Sequence, residues 1–245
     1  MNLLSIEQSG AQQIDYLLDL AAELKVTRGA HKSQPLAEQT WAIIFTKAST
    51  RTRVSFEVGI RELGGSVMFL SKNDIQLGRG EPIKDTARVL GSMVHGAVIR
   101  TYDQKDVVDF AKFSGIPTIN ALTDEEHPCQ ILADLLTIRE KIGGWNDKKI
   151  VFIGDGDNNM SRSWMWAAKY LEFELVVAAP KFCLPSEEYM TNLNAPNVTL
   201  TTDPVKAAKD AHVINTDVWL SMGQEGQTEK EALFGSYQVN AELLT

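Results

Sequence analysis

Short apolar runs alternate along this chain with stretches whose apolar residues recur every three or four positions. Ile14, Leu17, Leu18, Ala21 and Leu24 share one face of an opening amphipathic helix. Trp41–Phe45 is an apolar run that predicts a buried strand, and Val54, Val58 and Leu63 follow at helical spacing. Strands are predicted over Ser66–Leu70, Ala97–Arg100 and Pro117–Ala121, with helices over Lys84–Val94 and Asp103–Phe113 between them. A helical stretch runs from Pro128 to Ile142 and is ended by Gly143-Gly144. A second series then starts: strand Lys149–Ile153, helix Met160–Leu171, strands Glu174–Ala179 and Val198–Thr201, helix Pro204–Ala211 and strand His212–Asn215. Repeated strand–helix order implies parallel sheets covered by helices, an α/β class. Two series joined by one helix predict two doubly wound parallel-sheet domains with a cleft between them. Their expected bounds are 1–127 and 146–245, with 128–145 as the joining helix.

Polar clusters fall where these strands end, and open α/β sheets bind ligands beyond the carboxyl ends of their strands. Ser49-Thr50-Arg51-Thr52-Arg53 sits where the first strand gives way to a helix. Unpaired N–H groups and the positive end of the dipole favour an anion there. Arg51 and Arg53 add planar forks that match phosphate oxygens. A solvated first turn capped by Ser49 is the plainer alternative. Two cations in that turn would oppose the dipole, however, so a small phosphorylated ligand explains them better. Arg100-Thr101 follows another strand, and so do Thr123–Gln130, Gly154–Asn159 and Thr216–Gly223.

His127 precedes Pro128, a residue favoured at the first helical position, and Gln130 lies one turn along. An imidazole donor beside a carboxamide suits a small planar group with a carbonyl and an amine. Gly154-Asp-Gly156 invites a dinucleotide reading, but the third glycine of that fingerprint is missing. Asparagines at that turn suit a carboxylate instead, and Asp217 and Ser221 suit an ammonium and a carboxylate. Ordinary turn chemistry also accounts for these residue types.

Composition narrows the field. A net charge of −8 over 245 residues argues against nucleic acid and gives no general attraction to anionic membranes. The phosphate must therefore be drawn by local positive charge. No apolar run approaches the roughly 18 residues that span a bilayer, and the first residues lack the basic start and long apolar core of a signal peptide. Two cysteines, Cys129 and Cys183, fit reduced thiols in a cytoplasmic compartment. His31, His95, His127 and His212 are scattered without zinc spacing, and no nucleophile elbow occurs. No metal or cofactor is expected.

The order and separations of Ser49–Arg53, His127-Pro-Cys-Gln130 and Asp217-Val-Trp-Leu-Ser-Met-Gly223 resemble those of the ornithine carbamoyltransferases. The similarity runs over nearly the whole chain, including Asp85-Thr-Ala-Arg-Val-Leu90 and Tyr237-Gln-Val-Asn240. The first two motifs belong to the wider carbamoyltransferase family, whereas Ser221-Met222-Gly223 points to ornithine rather than aspartate or putrescine. The resemblance implies that Ser49, Thr50, Arg51 and Thr52 hold the phosphate of carbamoyl phosphate. It implies that Arg100 reaches both phosphate and carbonyl oxygen, and that Gln76 contacts carbamoyl phosphate across a subunit interface. His127 would donate to the carbamoyl oxygen and Gln130 would hold the carbamoyl amine. Asn159, Asp217, Ser221 and Met222 would hold the α-carboxylate and α-amine of ornithine. Catalysis would fall to Thr52, Arg100 and His127. The implied reaction moves the carbamoyl group to the δ-amine of L-ornithine, giving citrulline and phosphate, in a homotrimer with its sites between subunits.

Against that family the chain ends early. Thr245 precedes a His-Cys-Leu-Pro motif, a later arginine and a final helix, and Cys183-Leu184-Pro185 falls too early to replace them. Two alternatives stay open from sequence: a truncated paralogue that binds carbamoyl phosphate without turnover, and a carbamoyltransferase for another amine.

Overall fold

The computed structural model describes residues 1–71, 81–219 and 233–244. Gln76, Ser221 and Met222 lie outside the described residues. The chain divides into two compact units, Met1–Cys129 and Gln130–Thr245.

The first unit carries α1 (Ile6–Val26), β1 (Thr40–Phe45), α2 (Thr50–Glu62), β2 (Ser66–Ser71), α3 (Ile83–Gly91), β3 (Gly96–Arg100), α4 (Gln104–Ser114) and β4 (Thr118–Leu122). Its four strands are all parallel, in the order β2-β1-β3-β4. Central strands of such a sheet are covered on both faces, which explains why β3 is buried throughout and reads as an apolar run up to its last residue, Arg100. Side chains alternate between faces. Ala42, Ile44, Ala97 and Ile99 pack with Ala87 of α3 and with Val107 and Phe110 of α4. Ile43, Phe45 and Val98 pack with Ile60 of α2, and half-buried Phe56 joins them. The helix therefore turns Phe56 and Ile60 to the sheet. Val54, expected on its inner face, is 53% exposed, because a helix starting at Thr50 places Val54 outside the Phe56–Ile60 stripe.

The second unit carries α5 (Pro128–Ile142, which begins just before the division), β5 (Lys149–Ile153), α6 (Asn159–Leu171), β6 (Glu174–Ala178), α7 (Glu187–Leu193), β7 (Val198–Thr201), α8 (Pro204–Ala208) and β8 (Val213–Thr216). Its strands are also parallel, ordered β7-β6-β5-β8. Val151, Ile153, Val176 and Ala178 form a core with Ala207, Phe234 and Tyr237. Helix α7 was not expected from the sequence, and α8 stops three residues early, where Asp210 enters a left-handed conformation.

The same device opens both sheets. His95 N donates to Thr40 O (2.8 Å) while Thr40 N donates to His95 Nδ1 (3.1 Å). His212 N donates to Lys149 O (2.9 Å) while Lys149 N donates to His212 Nδ1 (3.1 Å). Two of the scattered histidines thus seal the start of a central strand. In each sheet the chain runs outward from one central strand and later returns to its other side. That reversal falls between β1 and β3 in one sheet and between β5 and β8 in the other. Ligands of open α/β sheets bind at such switch points, beyond the carboxyl ends of the strands. Among the described residues no helix is long and apolar enough to cross a membrane.

Candidate active site

Beyond β1 the chain makes one more ladder bond, Thr46 N to Arg100 O at 2.9 Å, before turning into α2. Ser49 caps that helix: its Oγ accepts from Thr52 N (3.3 Å) and donates to Thr52 Oγ1 (2.9 Å). Arg100 ends β3, paired with Phe45 of β1 and Leu122 of β4. Its Nη1 donates to Thr52 Oγ1 at 3.4 Å, and its buried Nε has no partner among the described residues. Arg100 is only 5% exposed, yet among the described residues no carboxylate pairs with it or with Arg51. Burial first, and then the charge of Arg51, lowers the pKa of Arg100. Burial first, and then Arg100, lowers His127 to about 4. The imidazole is thus neutral at pH 7 and carries one N–H donor. Two guanidinium groups, the first-turn amides of α2 and a neutral imidazole form a positive cluster. A dianion would relieve both the mutual repulsion and the unpaired buried donor.

Arg53 does not join this cluster. Its guanidinium stacks over the Phe69 ring of β2 (3.6 Å) and lies 3.7 Å from Glu57. The guanidinium that lies beside Thr52 is that of Arg100, not Arg53. Residues missed at the sequence level hold the loops in place. Lys47, buried, pairs with Asp124 and lies 4.2 Å from the Tyr102 ring centroid, tying together the segments after β1, β3 and β4. Glu126, next to His127, accepts from Ile6 N (2.7 Å) and Glu7 N (3.2 Å), so it anchors the His127 loop to the start of α1. Cys129 donates to Asn120 O (3.3 Å), and burial pushes its thiol up to about 12, which rules it out as a nucleophile.

In the second unit the polar groups fall beyond β5 and β8. A Cβ on Gly156 would come within 2.9 Å of both Ala179 Cβ and Cys183 O. The glycine there answers a close approach of the protein to itself, not a pyrophosphate. Asn158 caps α6 by accepting from Ser161 N (2.9 Å), which leaves half-buried Asn159 as its first residue. Half-buried Asp217 follows β8, and its carboxyl pKa is raised by burial, against a backbone hydrogen bond from Val218. Gln130, on the first turn of α5, donates through Nε2 to Asp134 Oδ1 (2.9 Å). Asn215 of β8 donates to Asp134 Oδ2 (3.4 Å). Asp134 escaped the sequence reading, although its position four residues after Gln130 on a helix was the available signal.

The structure thus brings Ser49, Thr52 and Arg100 together by hydrogen bonds, with the Arg51 and Arg100 charges and His127 near enough to interact. Gln130 is linked through Asp134 to Asn215, two residues before Asp217. A cationic turn at the switch point of the first unit suits a phosphorylated ligand, and an amide–carboxylate cluster lies by the switch point of the second.

Comparison with known proteins gives the class. Residues 1–140 match the family described as aspartate/ornithine carbamoyltransferase, carbamoyl-P binding domain, and residues 146–245 match its Asp/Orn binding domain. The chain belongs to the aspartate/ornithine carbamoyltransferase family. It is 68% identical over 246 residues to an ornithine carbamoyltransferase of Akkermansia muciniphila, covering 99% of this chain and 81% of that one. An ornithine carbamoyltransferase of Methanosphaera stadtmanae is 47% identical over 252 residues, covering 100% of this chain and 82% of that relative. The solved ornithine carbamoyltransferase of Pyrococcus furiosus superposes with a TM-score of 0.92 at 44% identity, covering 99% of this chain and 80% of its own.

Proposed function

We propose that this protein transfers the carbamoyl group of carbamoyl phosphate to the δ-amine of L-ornithine, giving citrulline and phosphate. The observation that carries the reading is the buried Nε of Arg100, without a partner among the described residues, beside Thr52 at the capped start of α2, a donor set suited to an anion. Ser49, Thr50, Arg51 and Thr52 hold the phosphate, with Gln76 contributing from a neighbouring subunit. Arg100, Thr52 and His127 aim donors at the carbamoyl oxygen, where negative charge develops as the amine attacks. Such preorganised donors supply the largest single share of rate enhancement in acyl transfer. A neutral His127 suits this role, since it donates a hydrogen bond without competing for the amine's proton. Gln130 receives the carbamoyl amine. Asn159, Asp217, Ser221 and Met222 hold the α-carboxylate and α-amine of ornithine, and binding both substrates together supplies proximity.

We further propose a homotrimer working in the cytoplasm as a step of arginine metabolism. Exposed Met68 on edge strand β2 and exposed Val54 on α2 offer apolar surface for association, and two cysteines outside any disulfide suit a reducing compartment. Steady-state assay with ornithine, aspartate and putrescine in parallel tests the reaction: ornithine should give citrulline at a kcat/KM at least about a hundredfold above the other amines. Asp217→Ala should raise the ornithine KM far more than the carbamoyl phosphate KM. Equal use of all three amines, or equal effects of Asp217→Ala on both substrates, would refute the assignment.

A further inference from the structure

Asp134 is a half-buried carboxylate with no cationic partner among the described residues. Its two oxygens are divided between two amides. Gln130 Nε2 donates to Oδ1 (2.9 Å) and Asn215 Nδ2 donates to Oδ2 (3.4 Å). An ionised carboxylate only accepts, so it dictates which end of each amide faces it. The Gln130 NH2 must point to Asp134, and Oε1 is left facing the other way.

That orientation has a chemical consequence. The nitrogen of a carbamoyl group is conjugated with its carbonyl and acts only as a donor, so the group that receives it must accept. A carboxamide free to flip would present its own NH2 part of the time, setting donor against donor. We propose that Asp134 is a positioning residue that holds the Gln130 carboxamide with its oxygen toward the carbamoyl amine, while its second oxygen ties α5 to the end of β8. The proposal rests on the role given to Gln130 above and goes beyond it by naming the group that sets its direction. Burial, and less strongly nearby Asp217, raises the pKa of Asp134, while the amide hydrogen bonds from Gln130 and Asn215 oppose that shift. Each of its oxygens accepts one amide hydrogen bond. The amide in Asp134→Asn nearly preserves the shape but can donate as well as accept, so it no longer dictates the orientation of Gln130.

A double-mutant cycle on carbamoyl phosphate kinetics tests this directly, using wild type, Gln130→Ala, Asp134→Asn and the double variant, with thermal midpoints as a folding control. Asp134→Asn should lower kcat/KM for carbamoyl phosphate about tenfold, and the same change should cost less than about twofold when Gln130 is already alanine. If Asp134→Asn fails to fold, Asp134→Ser replaces it in the same cycle. Equal losses in both backgrounds would overturn the positioning role while leaving Gln130 in its site. Wild-type carbamoyl phosphate kinetics in Gln130→Ala would instead overturn the role of Gln130 itself, and the inference with it.

Discussion

His127 shows most plainly how environment selects a residue's chemistry. Burial and the nearby Arg100 charge take its imidazole from the ordinary 6.5 to about 4. The unfolded chain, whose histidine keeps the ordinary value, therefore takes up a proton first as pH falls. Stability owed to this group is complete above pH 6.5 and is lost between 6.5 and about 4, with a limiting slope of about 1.4 kcal/mol per pH unit. Urea midpoints measured from pH 7 to pH 5 should fall more steeply in wild type than in His127→Asn. A bound dianion should act the other way and raise the imidazole pKa, because an opposite charge favours the protonated form. Proton NMR of the ring with and without inorganic phosphate would reveal that rise. An unmoved titration would place the anion elsewhere.

At the scale of elements, the His127 loop depends on a helix far away in sequence. Glu126 caps the first amides of α1, where the helix dipole favours a carboxylate, and Ser5 adds a second cap by accepting from Gln8 N. Glu126→Ala should cost about 1–3 kcal/mol by leaving the buried Ile6 N–H unpaired and should also lower kcat, while Glu126→Gln recovers part of both. Denaturant unfolding and steady-state assay together check this, and wild-type stability in Glu126→Ala would contradict the cap. Such long-range links were not legible in the sequence. Strands β1, β3 and β5 were, since burial on both faces leaves continuous apolar runs. The Ser49–Thr52 turn was also legible, because a strand end, a cap and adjacent arginines are local signals. Which guanidinium lies beside the Ser49–Thr52 turn was not local: Arg53 stacks on Phe69, and Arg100 reaches Thr52 only because β3 lies beside β1. Asn215 likewise meets Asp134 only through the sheet order of the second unit. Helix α7 was missed because seven residues are too few for a periodic pattern, although Ser186 caps it as a serine should.

At the scale of the whole molecule, each unit repeats one plan: a four-stranded parallel sheet, a histidine sealing the entry of a central strand, and polar loops at the switch point. Cationic donors gather at the first switch point. Amides and carboxylates gather at the second, an arrangement that fits the proposed phosphorylated substrate in one unit and an ammonium-bearing one in the other. Net charge of −8 makes this local arrangement necessary, since the molecule as a whole repels anions. The account depends most on the turn at Ser49–Thr52 holding the phosphate. Isothermal titration of carbamoyl phosphate into wild type and Arg51→Ala, with matched circular dichroism spectra, measures that directly. Loss of a charge-assisted fork should weaken binding about 30-fold or more while the fold is unchanged. Equal affinity in the two proteins would contradict the account.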